Sequence, residues 1–146
     1  MNDLLNDCST ISNSDCSSIY NCSFYNNIVK GGGGGAIFAT AISVKAILGL
    51  SISSSHFVEN IVYSSYSDRA QGGAIMMSHS IGVVLSDLYF LNNSAKPQLG
   101  IDPYTYSGEG GAVFFQSSSI TITGSKFSSN LAETGQFDNG AGGVRS

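Results

Sequence analysis

Two short motifs return along this chain at a nearly fixed interval, and that periodicity limits the fold more than any other feature. The first is F-x-x-N, at Phe24 and Asn27, Phe57 and Asn60, Phe90 and Asn93, and Phe127 and Asn130, with the phenylalanines 33, 33 and 37 residues apart. The second is G-G-A followed by Ile or Val, at Gly34-Gly35-Ala36-Ile37, Gly72-Gly73-Ala74-Ile75 and Gly110-Gly111-Ala112-Val113, with a degenerate copy at Gly142-Gly143-Val144. A unit of this length cannot bury its own apolar face and must stack on its neighbours.

Aligned on the phenylalanines, the units show the period-2 alternation of strands. Ile19, Ile52, Leu85 and Ile122 stand five residues before each Phe, and Val29, Val62, Ala95 and Ala132 five after. The columns between are mostly hydroxylated, for example Ser18, Ser51, Val84 and Thr121. The pattern predicts an all-β, right-handed parallel β-helix solenoid of about three to four coils, with one F-x-x-N and one G-G-A motif per coil. Each coil contributes a G-G-A strand, an alternating strand and an F-x-x-N strand. Adjacent glycines permit a tight turn with positive φ where coils approach closely. The phenylalanines are expected to stack along the interior, and the asparagines to form an amide ladder that satisfies turn backbone groups.

Composition narrows the function. Only 11% of the 146 residues are charged and the net charge is −4, which argues against a nucleic-acid partner. The segment 31–50 holds five consecutive glycines and Lys45, so no membrane span is expected within this chain. The start, Met1 to Asp7, carries two acids and no apolar run, and no signal peptide is seen. Cys8, Cys16 and Cys22 lack metal-ligand spacing, and neither a metal nor a cofactor is expected. One disulfide with an odd thiol and buried free cysteines fit the three equally well.

The two motifs together resemble the repeats of the chlamydial polymorphic membrane proteins, within the pectin-lyase-like superfamily of right-handed β-helices, over residues 19–144. The resemblance implies a surface-displayed adhesin, placed at the cell surface, in the outer membrane or outside the cell. No translocator barrel accompanies the repeats, so a fragment of a longer solenoid is expected: residues 1–16 as a lead-in, either unordered or part of a preceding coil, and 17–146 as the repeats. Exposed coil ends would favour self-association.

The segments between each Asn and the next Gly-Gly vary most, with 6, 11, 16 and 11 residues, and all should leave one edge of the solenoid. Insertions on one face of a repeat protein often build its binding surface. Tyr63, Tyr66, Asp68, Tyr104 and Tyr106 are the candidate binding residues there, for a glycan or a host or neighbouring surface protein. The plainer reading is that they cover the coil's flank. An enzyme would need carboxylates brought together. No repeat column carries two acids, and the loop acids Asp68, Asp102 and Glu109 have no lysine beside them in sequence, so no catalytic residue is assigned. The expectation is a non-enzymatic adhesion or ligand-binding module. The alternatives are a fragment of a pectin-lyase-like carbohydrate-active enzyme and a structural spacer.

Overall fold

A computed structural model describes residues 7–13, 16–40, 47–65, 69–98 and 108–133. Among them the protein is all β, with eighteen strands, β1 to β18 in chain order, arranged as a parallel β-helix solenoid. Four sets of strands stack in register from coil to coil.

The G-G-A strands β4 (Ile37–Thr40), β10 (Ile75–Ser78) and β15 (Val113–Gln116) form one parallel sheet, with Ile37, Ile75 and Val113 aligned. The alternating strands β6 (Ser51–Ser53), β11 (Ser80–Ser86) and β16 (Ser119–Thr123) form a second, joined by β5 (Ile47–Leu48) and by the long β2 (Cys16–Tyr25). The phenylalanine strands β7 (His56–Val58), β12 (Tyr89–Leu91) and β17 (Lys126–Ser128) continue from the other half of β2. A set absent from the three-strand expectation follows each Asn: β3 (Ile28–Lys30), β8 (Ile61–Tyr63), β13 (Ser94–Lys96) and β18 (Leu131–Ala132). The alternation of Val29, Val62 and Ala95 with their neighbours belongs to this fourth sheet. Short strands β9 (Ala70–Gln71) and β14 (Gly108–Glu109) pair beside it. At the first coil, β1 (Asp7–Asn13) runs antiparallel to β2. Cys22, buried in β2, is disulfide-bonded.

Two stacking devices run the length of the core. Phe24, Phe57, Phe90 and Phe127 lie face to face, with centroids 4.8, 4.9 and 4.6 Å apart. Around them pack Ile52, Ile75, Met77 and Leu85, all fully buried. Beside the stack, each Asn donates from Nδ2 to the Oδ1 of the next: Asn27 to Asn60 at 2.7 Å, Asn60 to Asn93 at 2.8 Å and Asn93 to Asn130 at 2.9 Å. The same Oδ1 atoms accept the backbone N–H of the preceding Asn, and the second Nδ2 proton of Asn60, Asn93 and Asn130 reaches the carbonyl of Phe24, Phe57 and Phe90. Asn60 and Asn93 are fully buried with every amide donor used, which removes the penalty that buried polar groups otherwise carry.

The two glycines of each G-G-A serve different needs. Gly34, Gly72 and Gly110 have φ of 66°, 64° and 64°, the left-handed region that glycine enters without cost. Gly35 and Gly73 do not; a Cβ there would lie 2.1 Å from the Gly73 carbonyl and 1.9 Å from that of Gly111. The first glycine makes the turn and the second lets the next coil close upon it. Two further left-handed corners bracket each phenylalanine strand, at Asn21, Ser54, Asp87 and Gly124 and at Asn26, Glu59, Asn92 and Ser129.

Candidate functional site: the loop edge of the coils

Among the described residues, the chain segments that join the fourth sheet to the G-G-A sheet leave from the ends of β3, β8 and β13. From there to the next Gly-Gly the chain spans 3, then 8, then 13 residues, at 31–33, 64–71 and 97–109. The strands beneath keep their register throughout.

The base of this edge has its own small core. Ala70 of β9 packs on Val62 and Ala95, with Val29 beside them. Gly108 of β14 closes on Ala95 so tightly that a Cβ would stand 2.0 Å from its carbonyl oxygen. The longer segments are thus anchored by β9 and β14 as they return to the coil.

Polar groups then settle on this base. Glu109, nearly buried, accepts from the Arg69 guanidinium on one oxygen and from Gln71 Nε2 at 2.8 Å on the other, both from the preceding coil. Of the three loop acids, Glu109 is thus engaged in an ion pair across coils. On the outer face of the fourth sheet, Tyr63 sits in register between Lys30 and Lys96. Lys96 meets Glu133 at 3.4 Å, a contact between partly exposed side chains worth under about 1 kcal/mol. Lys30 is exposed and makes no ion pair among the described residues.

Of the candidate binding residues, Tyr63 is half-buried at the root of the second segment. Tyr66, Asp68, Tyr104 and Tyr106 lie outside the described residues, as does Asp102. Lys30, Lys96 and Gln71 were not singled out from sequence. Lys30, Tyr63 and Lys96 stand six residues after Phe24, Phe57 and Phe90, so the repeat alignment already held both lysines; Gln71 directly precedes Gly72 as Glu109 precedes Gly110, so the G-G-A register held that pair as well. Among the described residues, no group of three or more His, Cys, Asp or Glu is arranged to hold a metal ion, and no helix is long and apolar enough to cross a membrane.

Comparison with curated proteins and with solved structures gave no match. The model of the Chlamydia polymorphic membrane protein repeat matches residues 21–40 and 87–116, which hold the first G-G-A motif, two of the F-x-x-N motifs and the third G-G-A. Two stretches of this solenoid, residues 21–40 and 87–116, are therefore similar to the repeat of the Chlamydia polymorphic membrane proteins.

Proposed function

We propose that this chain is a non-enzymatic, ligand-binding stretch of a surface protein, with recognition carried by the loop edge. The repeat type points to a surface or outer-membrane protein, and the disulfide at Cys22 suits an oxidising location outside the cytoplasm. The observation that carries the reading is the edge itself. A register that holds through β3, β8 and β13 supports segments that lengthen from 3 to 13 residues, with the exposed cation and the aromatic ring of Lys30 and Tyr63 at their root. Rigid sheets that present variable segments on one side are the usual way a solenoid builds a recognition surface. The tie of Glu109 to Arg69 and Gln71 weighs against the carboxylate pairing that a lyase or hydrolase would need.

The test is a glycan and protein binding screen on the whole chain, beside the triple substitution of Tyr63, Tyr66 and Tyr104 to Ser, with folding followed by circular dichroism. A ligand bound by the chain and lost in the folded variant upholds the loop edge. Binding untouched by the substitutions refutes it, and a folded chain that binds nothing leaves the spacer reading standing. Turnover of a polysaccharide that Asp68→Asn or Asp102→Asn abolishes would instead establish the enzyme.

A further inference from the structure

The outer face of the phenylalanine strands belongs to a different sheet from the one that bears the loop edge and has a different chemistry. Each buried Phe has an outward neighbour on either side, and parallel register turns these into two rows along the solenoid axis. One row brings His56, Tyr89 and Lys126 together; the other brings Tyr25, Val58 and Leu91. The His56 ring meets Tyr89 edge-on at 6.0 Å, and Lys126 Nζ stands 5.8 Å from the centre of the same ring. A phenol is thus flanked on both sides by nitrogen groups, on three strands of one parallel ladder in which β12 pairs with β7 on one side and with β17 on the other. His56 and Lys126 are exposed, and Lys126 makes no ion pair among the described residues. Tyr25 in the adjacent row is 42% exposed, while Val58 and Leu91 are half-buried.

We propose that this face binds a sugar bearing a carboxylate, held over Tyr89 between Lys126 and His56, with the sugar ring against the apolar row of Tyr25, Val58 and Leu91. The carboxylate follows from the charge: the row offers a lysine cation, an imidazole and a phenol, and contains no acid. Asp87 and Glu59, the nearest acids by sequence, stand on the corners at either end of the strands, so an anion is favoured over the row and opposed at its margins. The sugar follows from the backbone. The main-chain groups of β7 and β12 are used in the ladders on both sides, so an extended peptide on this face would gain none of the hydrogen bonds that drive strand addition. A pyranose needs none; it uses its apolar ring face on aromatic and aliphatic side chains, and its hydroxyls and carboxylate on amphipathic ones.

The chain has two histidines, His56 in this row and His79 on a left-handed corner elsewhere, and they serve as reporter and internal control. The experiment is a titration of the whole folded chain with sialyllactose, and separately with lactose, followed by the imidazole carbon-bound proton signals, which His79→Gln assigns. The expected result is a saturable shift of the His56 signals with sialyllactose and not with lactose, no shift at His79, and at least a tenfold weaker affinity in Lys126→Ser. A silent His56, an equal response to lactose, equal movement of both histidines, or unchanged affinity in Lys126→Ser each overturns the proposal. Tyr25→Ser, on the exposed rim of the apolar row, should weaken binding several-fold without altering the melting transition.

Discussion

Replacing Asn93 by alanine should destabilise the protein far more than the same change at Asn27, because the ladder's energy depends on position along it. Asn93 is fully buried and takes part in four side-chain hydrogen bonds: it donates to Phe57 O and Asn130 Oδ1, and it accepts from the backbone and side-chain nitrogens of Asn60. Alanine abolishes all four and strands the backbone N–H of Asn60 in the interior. At roughly 1–3 kcal/mol for each buried partner left unpaired, the loss is about 3–6 kcal/mol. A chain of this length should hold about 7–22 kcal/mol in all, so the loss is a substantial share of the total. Asn27→Ala removes the Nδ2 bond to Asn60, while the Asn27 backbone N–H still reaches Asn60 Oδ1 at 3.2 Å, so about 1 kcal/mol is expected. Asn93→Asp keeps the shape but turns acceptors toward Phe57 O and Asn130 Oδ1, and should be at least as damaging as alanine. Urea unfolding followed by circular dichroism gives the three values from the midpoints and slopes. Costs at Asn93 and Asn27 that agree within about 1 kcal/mol would refute the reasoning.

Gly73→Ala should abolish soluble expression, because its Cβ would meet the Gly111 carbonyl at 1.9 Å and the Ser94 nitrogen at 2.5 Å. Gly32→Ala has open space around it and bears only the strain of a φ of 94°, about 1 kcal/mol in the same urea assay. Phe90→Ala removes a ring stacked on both sides and should cost about 3–5 kcal/mol, against a smaller loss at Phe127, which stacks on one side and is half-buried. Glu59→Gly relieves an exposed left-handed corner with φ of 57° and should raise the melting temperature slightly, by the equivalent of up to about 1 kcal/mol.

Much of the stacking could be read from particular columns. Four phenylalanines at one register position left little choice but a stack, and four asparagines three residues later had to meet one another once the coils closed. The left-handed corners were half legible: Asn21 and Gly124 suit positive φ, but Glu59 in the other column does not announce it. The fourth sheet escaped because its strands are two to three residues long, too short for alternation to stand out beside a variable segment.

What the sequence determined by itself was the repeating register, since a side-chain pattern that returns every 33 to 38 residues fixes which residues share a column whatever the backbone does between them. What the tertiary structure decided was which side chains engage within and across those columns. Arg69 pairs with Glu109 two places off the G-G-A column, Lys96 meets Glu133, and His56 and Lys126 take their positions about the Tyr89 ring. Register names the neighbours, and the folded coils set the distances and orientations at which they meet. They meet because successive coils settle 4.6 to 4.9 Å apart, the distance at which stacked rings and backbone ladders are satisfied together.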